Sequence, residues 1–178
     1  MGDITKIYEE IQKGKRKKFP QGSWDDEGQA IIMVKYLLEE KLKWGKTQVC
    51  RGLDTMTFRK HGLGGMLYQC FNNSVYEAVS RTYPNEYKRW ELSRTPNGFW
   101  TSETGIEATK WLLEEKLKWS REEICDRLRR ETFLENGLSG MLLTCYENSP
   151  FKALIAAYPG EYTPEDVKCT PRNYTEVL

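Results

Sequence analysis

The side chains that could support catalysis are few in this sequence. His61 is the single histidine among the 178 residues. A catalytic histidine needs a nucleophile or a carboxylate partner, and the sequence shows no such partner around it. No phosphate-binding loop is visible either. We therefore expect a protein that is not an enzyme and needs no cofactor, with His61 placed at the end of a helix beside a turn.

The cysteines are the other group with potential chemistry. A zinc site formed by Cys50, His61 and Cys70 would have spacings that match no familiar zinc finger. The chain contains no Cys-x-x-Cys pair, and Cys50 and Cys70 fall on apolar helical stripes, a placement typical of reduced, buried thiols. We expect no metal site. The five cysteines are Cys50, Cys70, Cys125, Cys145 and Cys169.

Basic side chains that could bind phosphate are concentrated toward the N-terminus. Residues 1–21 contain six lysines and arginines against three acidic residues, whereas residues 94–167 contain nine against thirteen. A basic segment attracts polyanions and an acidic region repels them, so we expect any nucleic-acid contact in the first half of the chain. The candidate nucleic-acid-binding residues are Lys13, Lys15, Arg16, Lys17, Lys18, Arg59, Lys60, Tyr68, Gln69 and Asn72.

Most of the chain consists of two similar copies. Residues 36–44 read Tyr-Leu-Leu-Glu-Glu-Lys-Leu-Lys-Trp, and residues 111–119 repeat all but the first of them, at an offset of 75. A duplicated sequence indicates a shared fold, so function is expected where the copies differ. The clearest difference is the replacement of Arg-Lys-His at residues 59–61 by Leu-Glu-Asn at residues 134–136.

Apolar residues recur at helical spacing in both copies, and no segment alternates as a strand would. We predict a helix over residues 29–43, matched by one over residues 105–118, with exposed pairs Glu39/Lys43 and Glu114/Lys118. Three shorter helices follow in each copy, and the connectors 57–62 and 132–137 end in glycines suited to positive φ. The predicted fold is all-α, with two tandem four-helix repeats of helix-turn-helix-like type after a short N-terminal leader helix.

The repeat also predicts the domain boundaries. Residues 1–18 form the leader helix and a basic segment, residues 19–93 the first repeat, residues 94–167 the second, and residues 168–178 a tail that resembles the start of a further repeat. No apolar run approaches the ~20 residues of a membrane span, and the N-terminus lacks a signal-peptide core. We expect a cytoplasmic protein without a membrane partner or a small-molecule substrate.

Particular phrases carry a resemblance to known proteins. They are Gly-Lys-Arg-Lys-Lys-Phe-Pro-Gln-Gly-Ser-Trp at residues 14–24, Asn-Gly-Leu-Ser-Gly-Met-Leu at residues 136–142, and Asn-Ser-Pro-Phe-Lys-Ala-Leu at residues 148–154. With them the chain resembles, over almost its whole length, uncharacterised tandem-repeat proteins of Gram-positive bacteria and their phages, which implies no particular activity. The order of helix, Gly-Leu turn and helix is remotely similar to the helical repeats associated with homing endonucleases, which help to bind DNA.

Two functions stay open at this point. The first is a non-enzymatic nucleic-acid-binding or regulatory module, in which the basic segment and the first repeat contact the phosphates of DNA or RNA. The second is a protein-interaction adaptor, such as a phage-encoded inhibitor or modulator of a host protein. A net charge of +1 and many aromatic residues would suit such a protein surface.

Overall fold

The computed structural model describes residues 3–92 and 95–169, and this part of the chain is helical and contains no strand. The all-α prediction is therefore confirmed. The described residues divide between two compact units, Met1–Arg94 and Thr95–Leu178. Of the predicted tail at residues 168–178, residues 170–178 lie outside the described residues.

The first unit contains a leader helix and five further α-helices. These are α1 (Ile4–Gln12), α2 (Glu27–Tyr36), α3 (Lys46–Gly52), α4 (Thr55–Lys60), α5 (Gly64–Phe71) and α6 (Val75–Thr82), followed by a short 3-10 turn at Arg89–Glu91. The second unit repeats the order of the α-helices without the leader. Its helices are α7 (Ser102–Lys110), α8 (Arg121–Arg127), α9 (Arg130–Glu135), α10 (Ser139–Tyr146) and α11 (Pro150–Ala157).

The long first helix of each repeat changes type before it ends. Helix α2 continues as a π-helical segment over Leu37–Leu42, and α7 continues likewise over Trp111–Lys116. Lys43 then leaves the helix in a left-handed conformation, with φ of 53°. The predicted Glu39/Lys43 pair is wrong for this reason, and the Glu39 carboxylate accepts a hydrogen bond from the Tyr83 hydroxyl instead, at 2.9 Å.

The second repeat reproduces that exchange of partners. Lys118 also has a φ of 53°, and Glu114 accepts a 2.7 Å hydrogen bond from the Tyr158 hydroxyl rather than pairing with Lys118. Because the same bond forms in both copies, it belongs to the shared fold. It ties the π-helical segment to the end of the last helix of its repeat.

The two predicted connectors are themselves helical. Helix α4 begins after Asp54, whose carboxylate accepts from the Thr57 backbone N–H at 2.8 Å and from the Thr57 hydroxyl at 2.9 Å. This cap starts a helix where the sequence indicated only a link. The helix stops as expected, since Gly62 has a φ of 72°, and Gly137 has a φ of 79°. Helices α4 and α5 therefore form a helix-turn-helix pair, as do α9 and α10.

The core of the first unit lies beneath this pair. Phe58 of α4 and Met66, Leu67 and Phe71 of α5 are buried, and they belong to the same apolar cluster as Val34 of α2. Burying side chains of this size stabilises each by roughly 1.5–3 kcal/mol relative to exposure. Their burial fixes which face of α5 is left outward.

Candidate nucleic-acid interface

Helix α1 ends beside the turn that joins α4 to α5. The Tyr8 hydroxyl lies 3.5 Å from Nδ1 of His61. Four residues later, the Gln12 side chain is so close to Gly62 that a methyl group added at this glycine would lie 4.0 Å from Gln12 Nε2. The chain therefore enters its basic segment directly at the helix-turn-helix pair. The position of His61 at the end of α4, predicted from the sequence, is confirmed.

The other end of the basic segment is also held in place. The ring of Phe19 stacks near that of Tyr8, with centroids 6.4 Å apart and planes inclined by 20°, and it contacts Trp24 with centroids 4.7 Å apart. Residues 13–18 thus form a short loop with an aromatic or helical anchor at each end. All six residues are exposed. We call these six residues the cationic loop.

Two of the five cations in this loop already have partners. Lys13 lies 3.9 Å from the Glu9 carboxylate, and Arg16 lies 3.1 Å from the Glu10 carboxylate. Lys15, Lys17 and Lys18 make no ion pair within the described part of the chain. Exposed pairs of the Lys13 and Arg16 kind contribute only about 0.2–1 kcal/mol, so a phosphate can replace these carboxylates at little cost.

An ion pair inside the unit fixes the direction of α1. The Glu9 carboxylate lies 2.5 Å from Lys41 Nζ and accepts a 2.9 Å hydrogen bond from the Tyr36 hydroxyl. The hydrogen bond from Lys41 is the main cause that lowers the pKa of Glu9, followed by the bond from Tyr36. Sequence reasoning missed these three residues, because a contact between positions so far apart leaves no local pattern.

Arg59 and Tyr68 lie on adjoining parts of the helix-turn-helix pair. The aliphatic stem of Arg59 packs against Gly64 so closely that a Cβ at this glycine would lie 2.9 Å from Arg59 Cγ. Tyr68 is one helical turn further along α5 and is 72% exposed. Arg59 and Lys60 are also exposed. The structure therefore brings the start of the cationic loop, the end of α4 and an outward aromatic ring into one region.

Gln69 lies on the other flank of α5, away from these cations. Its side-chain amide donates to the Asp25 carboxylate at 3.4 Å. The neighbouring Cys70 thiol contacts the Trp24 carbonyl at 3.4 Å, and burial, followed by the charges of Glu27 and Asp25, raises the pKa of Cys70. This flank is acidic, so the structure separates Gln69 from the phosphate-binding candidates.

Acidic groups outnumber basic groups on that flank. Arg81 pairs with Glu27 at 2.9 Å and with Glu77 at 3.3 Å, while Asp25 and Asp26 are exposed. Arg81 therefore pairs with two of these four carboxylates. Asn72, the last of the predicted contacts, ends α5 in a left-handed conformation with φ of 49° and is exposed at the helix terminus.

The second unit carries different side chains at the matching outward positions. Leu134 stands where the first unit has Arg59, Ser139 where it has Gly64, and Leu143 where it has Tyr68. Leu143 is 60% exposed. The overall charge changes sign as well, because residues 3–92 contain sixteen lysines and arginines against twelve acids, whereas residues 95–169 contain nine against thirteen.

Metal and membrane sites are not seen in the described residues. Within 3–92 and 95–169, no three histidine, cysteine or acidic side chains are grouped so that they could bind a metal ion, and this includes Cys50, His61 and Cys70. None of the helices in these ranges has both the length and the apolar character needed to cross a bilayer.

Comparison with known proteins identifies a family but no activity. The family model described as "Protein of unknown function (DUF4046)" matches the chain twice, over residues 4–88 and 89–162. No curated protein and no solved structure matches the chain. The two adjacent matches confirm a tandem repeat of an uncharacterised kind. Since together they span most of the sequence, the chain belongs to the DUF4046 family.

Proposed function

We propose that this protein is a non-enzymatic nucleic-acid-binding module whose first unit contacts phosphates. The observation that supports this most is the junction of α1 with the α4–α5 turn, made by Tyr8 with His61 and by Gln12 with Gly62. Because of this junction, the cationic loop begins beside Arg59 and Lys60, which are 41 or more residues away from the loop in the sequence. In this proposal the protein acts in the cytoplasm.

The anchored loop suits this role for an entropic reason. A free basic arm loses conformational freedom when it binds, and fixing one backbone residue costs roughly 1–2 kcal/mol. The cationic loop is held by Tyr8 at one end and by Phe19 at the other, which limits the freedom that remains to be lost. Its three lysines without ion pairs, Lys15, Lys17 and Lys18, are therefore the main phosphate contacts of the proposal.

A salt titration tests the proposal. Fluorescence anisotropy of a labelled oligonucleotide is measured at increasing salt for the wild type and for the triple variant Lys15→Gln, Lys17→Gln, Lys18→Gln. We expect weaker binding in the variant and a slope of log affinity against log salt that is smaller by roughly one per lost phosphate contact. Absence of salt-sensitive binding by the wild type at low ionic strength would refute the proposal.

The second unit offers a matched control. The triple variant Lys110→Gln, Lys116→Gln, Lys118→Gln removes the same charge from the chain but lies in the acidic unit. Lys110 and Lys116 are close to the rings of Tyr158 and Trp111, at 5.6 and 4.8 Å. We expect this variant to keep the wild-type salt slope. An equal loss in both triple variants would mean that only net charge matters.

A protein-interaction adaptor is the second candidate, and an exposed side chain of the second unit favours it. Leu143 is 60% exposed on α10, and a Cβ at Gly140 of the same helix would lie 3.4 Å from Trp100 Nε1. An apolar residue beside an aromatic ring, on an acidic unit, would suit a partner with apolar and basic side chains. A phage-encoded inhibitor or modulator of a host protein is one form of this proposal.

The adaptor is tested by pull-down from a nuclease-treated bacterial lysate. A stoichiometric protein partner that is retained after nuclease treatment, and lost in Leu143→Asp, favours the adaptor. The control is Tyr68→Asp, which changes the matching position of the first unit. A partner lost equally in both variants, or removed by nuclease, would contradict a docking role for Leu143.

A further inference from the structure

The two flanks of α5 differ in charge, and this limits what the first unit can bind. On one flank, the cationic loop together with Arg59 and Lys60 supplies seven cations, of which Lys13 and Arg16 pair with the carboxylates of Glu9 and Glu10. The other flank has Asp25, Asp26, Glu27 and Glu77, and Arg81 pairs with the last two of these. Between these flanks, the outward face of α5 carries the exposed ring of Tyr68.

A duplex would meet both flanks at the same time. When a helix enters a groove of double-stranded DNA, a phosphate backbone runs along each of its sides, so both flanks of the helix need cations or neutral donors. Here one of the two backbones would face Asp25, which already accepts from Gln69. Phosphates and carboxylates repel each other, and this cost increases at low salt, where phosphate binding is otherwise strongest.

A single strand would meet only the basic flank. Its phosphates need one line of cations, which the cationic loop and the end of α4 supply. Its unpaired bases need an aromatic surface, since proteins that bind single strands combine a basic groove with rings on which bases stack. Tyr68 is 72% exposed and lies one turn from Gly64, where the Arg59 stem packs. The ring is thus on the side of α5 that Arg59 contacts.

We infer that the first unit binds single-stranded nucleic acid, with a base stacked on Tyr68 and the adjoining phosphates held by Arg59, Lys60 and the cationic loop. This inference rests on the proposed nucleic-acid function and specifies its ligand class. The second unit lacks the arrangement, because Leu134 and Leu143 replace Arg59 and Tyr68.

The test compares three labelled ligands of about 16 nucleotides, the upper end of the site sizes of single-strand-binding domains. They are a mixed-sequence DNA strand, the RNA strand of the same sequence, and the DNA duplex. Anisotropy at low salt is expected to show tighter binding of at least one single strand than of the duplex, and the tighter of the two strands identifies the ligand. Duplex binding equal to or tighter than that of both strands would overturn the inference while leaving the proposed function intact.

Variants at Tyr68 separate stacking from charge. Tyr68→Ala is expected to weaken single-strand binding by about 5- to 150-fold, which corresponds to the loss of one stacked base, whereas Tyr68→Phe keeps the ring and the affinity. Leu143→Ala is the matched control in the second unit and should leave binding unchanged. Because Tyr68 is largely exposed, circular dichroism should show the same fold for each variant.

Three results would contradict the inference in different parts. If Tyr68→Ala binds the single strands as the wild type does, the stacking role is wrong, although phosphate binding stands. If Leu143→Ala causes the same loss as Tyr68→Ala, the assignment to the first unit is wrong. If the wild type binds none of the three ligands, the proposed function fails, and the inference fails with it.

Discussion

The carboxylate of Glu9 on α1 lies 2.5 Å from Lys41 Nζ on the π-helical segment, across 32 positions of the chain. With the 2.9 Å bond from the Tyr36 hydroxyl, this contact holds the leader helix against the first repeat. We expect Glu9→Gln to loosen α1, because the uncharged amide no longer compensates Lys41. Hydrogen exchange of residues 4–12 should become faster. Glu10→Gln, which removes only the exposed partner of Arg16, is the control and should leave this exchange unchanged.

Acid should weaken the same contact. The hydrogen bonds from Lys41 and Tyr36 lower the pKa of Glu9 below its ordinary value. A carboxyl group with a depressed folded-state pKa contributes stability that is present above its unfolded pKa and is lost as the pH falls through the folded value. The free energy of unfolding, from urea titrations at several acidic pH values, should therefore depend less on pH in Glu9→Gln than in the wild type. Identical pH profiles would contradict this assignment.

The tyrosines at the end of each repeat should contribute equally to stability. The Tyr83 hydroxyl donates to Glu39, and the Tyr158 hydroxyl donates to Glu114. Each bond has a charged acceptor but is exposed to solvent, so Tyr83→Phe and Tyr158→Phe should each cost about 0.5–1.5 kcal/mol. Urea denaturation measures the cost. A clear loss in only one variant would show that the two bonds are not equivalent.

Alkaline pH should destabilise the protein through its buried tyrosines. Burial is the main cause that raises the pKa of Tyr87 and of Tyr146 to about 12, and burial followed by the bonded glutamates also raises the pKa of Tyr83 and Tyr158. For an acid with a raised folded-state pKa, stability is complete below the unfolded value of about 10 and is lost as the pH rises toward the folded value. Ultraviolet titration of tyrosinate should show a late group that ionises with unfolding. A single titration step of all ten tyrosines near their ordinary pKa would contradict it.

Two glycines should respond in opposite directions to the same substitution. A Cβ at Gly65 of α5 would meet nothing within 4 Å, so Gly65→Ala should stabilise the helix by about 0.5–1 kcal/mol. A Cβ at Gly105 of α7 would lie 2.8 Å from the Tyr146 hydroxyl oxygen. Gly105→Ala should therefore destabilise the protein by about 1–3 kcal/mol, although alanine is the better helix former. Thermal unfolding compares the two. Stabilisation by both would mean that Tyr146 moves aside freely.

Local signals in the sequence predicted the local parts of the fold. Gly62 and Gly137 stop helices with positive φ as expected, and Ser74 and Ser120 cap helices through their side chains. Helix α4 was missed in the connector because its start depends on the Asp54 cap, and the residues after Asp54 carry no distinct helical signal. The π-helical segments were missed because each covers only six residues, too few to shift visibly the apolar spacing of the helix that it continues.

The candidate site needed contacts that the sequence does not encode locally. Its ten residues were selected by charge and polarity, and the structure joins the start of the cationic loop to the α4–α5 turn through Tyr8, Gln12 and His61. The position of Gln69 beside Asp25 was equally invisible, because 44 residues separate the two. Composition thus led to the proposed kind of ligand, and packing determines which of the candidate residues lie close together.

The matched outward positions of the two repeats have a consequence for protein engineering. Arg59, Gly64 and Tyr68 occupy the same places on α4 and α5 as Leu134, Ser139 and Leu143 occupy on α9 and α10. Tyr68 and Leu143 are largely exposed, while the buried residues around them, such as Phe58 and Phe133, are repeated in kind. A family built this way can exchange the surface of one copy for that of the other without rebuilding its interior, so duplication supplies one scaffold with two independently variable faces.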